Sequence, residues 1–268
     1  VLTLNLGIVD KLTIVKVGGN ILDNKKHLEN LLDSFTRIEG KKILVHGGGK
    51  IANVLMEQLG IAPKMVEGRR ITDERTLEIV TMVYAGLINK NLVAQLQKRG
   101  CDAIGLTGAD ANVIPAVKRP VKDIDYGFVG DVYPNNISSN TLIGFIKMGL
   151  VPICAPITHN GEGDLLNTNA DTIASSLAIA LAPYFEVNLV YCFEKNGVLL
   201  DPQNDNSVIT KIDMAKFTEY KASGVISAGM IPKLDNAFKA ISSGVKQVTI
   251  CGPAAFNEVN PIQGTVII

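Results

Sequence analysis

In "LTIVKVGGN", Leu12 to Asn20, a lysine interrupts an apolar run of the kind that forms a buried strand of a parallel sheet, directly ahead of two glycines. An ammonium taken out of water is costly unless something negative meets it. Either Lys16 reaches past the strand end into solvent, or an anion is expected there. The stretch "SAGMIPKLDNAFKAISSG", Ser227 to Gly244, poses the same question. Pro232 suits the first helical position and Gly244 the position past the end. Lys233 then lies in the first turn, where the helix dipole disfavours a cation by ~0.3–1 kcal/mol. A solvated surface lysine tolerates that placement, and a bound anion removes the penalty. A third feature is "HGGGK", His46 to Lys50, between an expected strand and an expected helix. Gly47, Gly48 and Gly49 would let backbone N–H groups approach a phosphate or carboxylate closely. One glycine would be enough for a tight turn, and the spacing is not the GxxxxGK[ST] of a Walker loop. His46 reads as strand-end packing rather than as a general base. The chemistry these residues suit is the binding and neutralisation of anionic groups.

Other segments add polar groups that serve either structure or function. In "GDLLNTNADTIASSLA", Asn169 is a good N-cap and Asp171 falls in the first helical turn, where an acid is favoured anyway. Asn167 either turns the chain or offers its amide to an anion. In "EGRRITDE", Arg69 and Arg70 form a surface patch or present a guanidinium fork to a carboxylate, and Thr72 or Asp73 caps the helix that follows. "YCFEKNGVL" ends a strand in a turn at Asn196-Gly197, at the end of a parallel strand where open α/β sheets bind nucleotides.

The elements that must position these groups alternate between β-branched runs and helical patterns, which predicts an α/β sheet with parallel strands and helical crossovers. Strands are predicted at Thr13–Val17, Lys42–His46, Ala103–Thr107, Val151–Ala155, Val187–Phe193 and Gln247–Cys251. Helices are predicted at Lys26–Arg37, Ile51–Leu59, Glu74–Arg99, Thr141–Lys147, Ala170–Leu181, Met214–Ala222 and Pro232–Ser242. "KMVEGRRIT" and "ANVIPAVKRPVKDIDYGFVGDV" break the alternation and read as hairpins leaving the sheet edge. A division into two lobes is expected near Pro183. With 47% hydrophobic and 19% charged residues a large core is available. Lys+Arg and Asp+Glu both number 26, so no net positive field marks a nucleic-acid or membrane surface. Cys101, Cys154, Cys192 and Cys251 each lie in an apolar run without CxxC or His spacing, which predicts buried free thiols rather than zinc. The start "VLTLNLGIVDK" has no signal-peptide pattern and no apolar run reaches ~18 residues, so a soluble cytoplasmic protein is expected.

Taken in order, "KVGGN", "HGGG", "GRRITD", "NTNAD" and "GMIPK" resemble the amino-acid kinase family, and within it the acetylglutamate kinase branch of arginine biosynthesis, from about Leu12 to Ile268. The resemblance implies a three-layer αβα sandwich with a mainly parallel central sheet. Its two lobes would be about 11–183 for the acyl-glutamate and dimerisation, and 184–268 for ATP. Carried over residue by residue, it implies that Lys16 and Lys233 act on the transferring phosphoryl and that Asp171 organises them. Gly19, Gly47, Gly48, Gly49, Arg70 and Asn167 would hold the acyl-glutamate. Gly18, Glu194, Lys195, Asn196, Gly197, Val198, Leu199, Ser227 and Gly229 would hold the nucleotide. Where many relatives have an aspartate opening the nucleotide turn, this chain has Glu194 followed by Lys195. A side-chain carboxylate with pKa near ~4.3 is already ionised at neutral pH, so the implied transfer needs no general base. No carboxylate cluster is built to hold Mg²⁺, which implies that ATP brings the metal. About eleven residues precede the first strand, and by analogy with members that carry a long N-terminal helix this implies a homodimer not strongly inhibited by arginine. The N-acyl group, acetyl or succinyl, stays open, as do glutamate 5-kinase chemistry and a non-catalytic sensor on the same fold.

Overall fold

The computed structural model describes residues 10–66, 68–201, 203–226, 230–253 and 263–268. The chain enters through β1 (Lys11–Val17), whose residues after Lys11 are all buried, followed by α1 (Gly19–Leu22) and α2 (Lys25–Arg37). Asn24 caps α2, its Oδ1 accepting from the His27 N–H at 3.0 Å. Next come β2 (Lys41–His46), α3 (Gly49–Gln58), and the hairpin of β3 (Met65–Val66) and β4 (Arg69–Arg70). α4 (Glu74–Thr81), a π-helical segment at Met82–Ile88 and α5 (Asn89–Gln97) form one helical run. Then follow β5 (Ala103–Leu106), the antiparallel pair β6 (Val117–Lys118) and β7 (Gly130–Asp131), α6 (Ser139–Lys147) and β8 (Val151–Cys154). The hairpin β9 (Ile157–His159) with β10 (Leu165–Asn167) leads into α7 (Ala170–Leu181) and β11 (Glu186–Cys192). β12 (Lys211–Ile212), α8 (Met214–Ala222), α9 (Ile231–Ser242), β13 (Gln247–Cys251) and β14 (Thr265–Ile267) complete the order.

Among the described residues the main sheet has eight strands in the order β12-β14-β13-β11-β1-β2-β8-β5. From β13 to β5 every neighbouring pair is parallel, while β14 runs antiparallel to β13. All six strands predicted from β-branched runs are present. β12 and β14 escape prediction because strands of two and three residues are too short to show a period. Strand order reverses around β1, which takes β2 on one side and β11 on the other, and such a reversal opens a crevice at the carboxyl ends of the strands.

Strand alternation sorts the core onto the two faces. Leu12 and Ile14 of β1, with Ile43, Val45, Leu189, Tyr191, Val248 and Ile250, face Leu177 of α7 and Leu234 and Phe238 of α9. Val15 and Val17, with Leu44, Val190 and Cys192, face Leu31 and Phe35 of α2, Met56 of α3 and the α4–α5 run. Helices on both sides of one sheet make the expected three-layer sandwich. Each fully buried Val, Leu or Ile contributes ~1.5–3 kcal/mol, so these two layers hold the strand ends in fixed relative positions. All four cysteines are free and buried.

The helix predicted at Glu74–Arg99 is a correction in detail: it is interrupted by the π turn at Met82–Ile88 and ends at Gln97. The wider turn shifts the phase of the helix by one residue, so that Val83, Tyr84 and Ile88 are all buried. By length and composition the run Glu74–Gln97 could cross a membrane. Its Ile79, Val80, Val83, Ile88, Leu92 and Leu96 instead pack into the core of the fold.

Candidate active site

Lys16 shares a face of β1 with Leu12 and Ile14, so it points to the α7 side of the sheet. Asp171 arrives there because Asn169 caps α7, its Oδ1 accepting from the Thr172 N–H at 3.0 Å, which leaves Asp171 in the first turn. Lys16 Nζ lies 2.7 Å from Asp171 Oδ1. With Lys16 only 7% exposed, this carboxylate is what makes a buried ammonium tolerable. Lys233 reaches the same place from the first turn of α9, which starts at Ile231 and so puts Pro232 second rather than first. Among the described residues Lys233 has no ion pair. Its Nζ instead lies 3.7 Å from the centre of the Phe193 ring, and Lys16 Nζ lies 4.8 Å from the same ring. Burial pulls the Lys233 ammonium below the usual lysine range, with Asp171 opposing, Lys16 adding to the fall and Glu194 opposing. Two cations separated by most of the chain therefore meet beside one carboxylate.

Two cavities flank this junction, and Lys16, Gly19 and Asp171 line both. The first, of about 240 Å³, is walled by the glycine turn, Arg70 and Asn167. The turn is stitched to the sheet: Gly47 N–H donates to Val17 O at 3.0 Å and Gly18 N–H to Cys192 O at 3.1 Å. Gly48 has φ +154, which strains any other residue, and a Cβ there would lie 2.3 Å from Ile88 Cδ1 and push that side chain aside. Arg70 is 6% exposed and donates to Gly49 O at 3.1 Å and Met56 Sδ at 3.3 Å, and also to Asn53 Oδ1. Among the described residues it has no carboxylate partner. A buried guanidinium fork without a counter-charge suits an incoming carboxylate. Asn167 Nδ2 donates to Thr72 Oγ1 at 3.0 Å, which ties β10 to the loop ahead of α4. Arg69 also lines this cavity. Asp73, not Thr72, caps α4, its Oδ1 accepting from the Thr76 N–H at 2.8 Å.

The second cavity, of about 410 Å³, is lined by Gly18, Phe193, Glu194, Lys195, Gly197 and Lys233 among others. Val198 and Leu199 are buried and line an adjoining hollow of about 120 Å³ with Val225, Ile226 and Met230. Lys195 Nζ pairs with Asp205 Oδ1 at 2.6 Å on the surface. Asn196 is exposed and lines neither space, its side chain lying against Gly252. Ser227 and Gly229, expected near the nucleotide, lie outside the described residues.

His46 behaves as strand-end packing. Its Nδ1 lies 2.8 Å from Gly47 O and its Nε2 3.2 Å from Asn89 Nδ2. An amide nitrogen can only donate and a carbonyl only accept, so the proton sits on Nδ1 and the ring is neutral. Burial pushes its pKa down to about 4. Between that value and the ordinary 6.5 the unfolded chain binds a proton that the folded chain refuses. Stability therefore falls as pH falls through this window, by up to ~3 kcal/mol. Urea unfolding at pH 7, 5 and 4 checks it: the drop shrinks in His46→Gln, and an unchanged drop removes His46 as its source.

Tyr84 and Phe193 are site residues that sequence reasoning passes over. Tyr84 sits in the π turn, lines the first cavity and takes a hydrogen bond from Arg70, while burial pushes its hydroxyl above the usual phenol range and Arg70 pulls it back. In sequence it is one more apolar position of a long helix. Phe193 directly follows β11, and the rule that parallel sheets bind ligands beyond their carboxyl ends is the signal that points to it. Among the described residues no group of three or more His, Cys, Asp or Glu could hold a metal ion. The junction offers two ammoniums against one paired carboxylate, a set suited to an anion.

The sequence matches the model of the amino acid kinase family over residues 11–252. It is 58% identical to the acetylglutamate kinase of Phocaeicola vulgatus over 258 residues, 96% of this chain and 98% of that protein. It is 54% identical to the acetylglutamate kinase of Cytophaga hutchinsonii, covering 97% of this chain and 99% of that one. Among solved structures, smu.665 from Streptococcus mutans superposes with a TM-score of 0.74 at 30% identity, over 96% of this chain and 98% of that chain. The match spans the parallel core of the sheet and both cavities, these two relatives are identical to it at more than half of the aligned positions, and the chain belongs to the amino acid kinase family.

Proposed function

We propose that the chain transfers the γ-phosphoryl group of MgATP to the side-chain carboxylate of N-acetyl-L-glutamate, forming an acyl phosphate in arginine biosynthesis. The observation that carries this reading is the convergence of Lys16, Asp171 and Lys233 where two cavities meet. One cavity has a buried guanidinium with no carboxylate partner among the described residues, suited to a substrate carboxylate. The other lies beyond the strand ends where nucleotides bind in open α/β sheets. The names of relatives more than half identical over nearly the full length choose the acyl-glutamate among carboxylate acceptors.

Phosphoryl transfer is catalysed mostly by positioning and by neutralising charge on the equatorial and leaving oxygens. Lys16 then spans from the acceptor carboxylate to the transferring group, and Lys233 holds the leaving β–γ oxygens. Asp171 keeps the Lys16 ammonium oriented, and the N–H groups of the glycine turns bind phosphate oxygens. MgATP brings its own metal. We assign 11–183 to the acyl-glutamate lobe and 184–268 to the nucleotide lobe, in a cytoplasmic homodimer. Exposed Met82 and Leu87 on the π turn are apolar surface available to a second copy.

Trapping of acyl phosphate as the hydroxamate tests the proposal, with N-acetyl-, N-succinyl- and free glutamate, aspartate and UMP supplied side by side. N-acetylglutamate is expected to give the highest kcat/KM. Faster turnover of free glutamate or UMP overturns the assignment.

A further inference from the structure

Phe193 lines the second cavity, where Lys16 and Lys233 meet. It is the first residue past β11 and continues the alternation of Val187, Leu189 and Tyr191, so its ring lies on the α7–α9 face with Lys16. Two contacts fix it. Its N–H donates to Cys251 O at 2.8 Å. Its ring lies nearly parallel to that of Tyr191, with centroids 6.1 Å apart and 9° between planes. The ring also lies beside the first glycine turn, its Cδ1 3.6 Å from where a Cβ on Gly18 would stand. Onto this fixed ring come two ammoniums, Lys233 Nζ at 3.7 Å and Lys16 Nζ at 4.8 Å from the centroid. Both are inside the ~6 Å over which a ring's negative face attracts a cation.

The two lysines are not equally provided for. Lys16 has Asp171 at 2.7 Å. Lys233 has no ion pair among the described residues: Asp171 and Glu194 attract it without pairing, Lys16 repels it, and its ammonium rests on the ring. We propose that Phe193 is a positioning residue whose ring face holds Lys233, and secondarily Lys16, at the junction, so that both ammoniums are in place before the phosphates arrive. This deepens the kinase reading and rests on it. An aromatic ring suits the task better than a second acid. A carboxylate beside Lys233 would hold the ammonium but repel an anionic substrate, whereas a ring quadrupole attracts the cation, adds no net charge and yields readily to a polyphosphate.

The test separates ring electronics from bulk. Phe193→Leu keeps an apolar side chain of similar reach without a π face, and Phe193→Tyr keeps the face. In the hydroxamate assay Phe193→Leu is expected to lower kcat about 10-fold with KM for N-acetylglutamate within about twofold of the parent, while Phe193→Tyr keeps at least about half of kcat. A second readout needs no turnover: NMR titration of the Lys233 side chain after ¹³C-methylation of the lysines in the ligand-free protein. A π face favours the charged form against the background of Asp171, Lys16 and Glu194, so the midpoint falls in Phe193→Leu and is retained in Phe193→Tyr. Equal kcat and equal midpoints in the two variants overturn the proposal, and so does a Phe193→Leu enzyme indistinguishable from the parent. Should the parent phosphorylate no acyl-glutamate, the kinase reading fails by itself and the midpoints alone decide the role of the ring.

Discussion

Lys233→Ala and Lys16→Ala each lower kcat by ~10²-fold or more, a loss of about 3 kcal/mol of transition-state stabilisation. The expectation comes from where the two ammoniums sit. Each is withdrawn from water, and together they face a space that only an anion would fill favourably. In such a place a positive charge acts on the oxygens of a transferring phosphoryl with little solvent screening. The larger loss is expected for Lys16→Ala, because it also leaves Asp171 without its partner, facing incoming anions with an uncompensated charge. Lys16→Ala combined with Asp171→Asn removes that repulsion, so the double variant binds MgATP more tightly than Lys16→Ala alone while kcat stays low. Steady-state kinetics on the variants settles the matter. Near-normal turnover in both single variants removes these lysines from the chemistry.

Arg70→Ala has the second largest effect and a different signature. KM for N-acetylglutamate rises ~10²-fold, as expected when one partner of a buried charge pair is lost, and KM for ATP changes less than about threefold. Arg70 is held by Gly49 O, Asn53 and Met56 and reaches no carboxylate among the described residues, so a ligand carboxylate is the counter-charge it suits. Lysine is no substitute there, since a point charge cannot make the paired bonds of a planar fork, and Arg70→Lys recovers only a small part of the affinity. Thermal unfolding gives an independent check. N-acetylglutamate at 100 times its Kd stabilises the parent by about 2.7 kcal/mol, and the same concentration leaves Arg70→Ala nearly unmoved. An effect on ATP alone would place Arg70 in the wrong cavity.

Much of this is legible in the residues themselves. The six longer strands announce themselves because a strand buried on both faces must be largely apolar along its length, as Leu12–Val17 is apart from Thr13 and the charged Lys16. The exceptions to that rule mark the site: Lys16 in a strand, Lys233 at the wrong end of a helix, Arg70 in a hairpin strand. What stays hidden is whatever depends on neighbours distant in sequence. Asp171 is explained locally as a first-turn acid, and only the crossing of α7 over β1 makes it the partner of Lys16. Tyr84 and Phe193 look like core residues until the sheet brings charged groups onto them. The π turn is invisible because its apolar residues satisfy an ordinary helical period nearly as well.

That turn has a consequence for how the gene can vary. Between Met82 and Ile88 the backbone carries one residue more than regular winding would hold, and this surplus lets Tyr84 and Ile88 close over Gly48 while Asn89 meets His46. Loss of a single codon there would rewind everything downstream by about 100° and carry Ile88 away from Gly48 and Asn89 away from His46, whereas exchanging one of the exposed side chains in the same stretch would leave the winding intact.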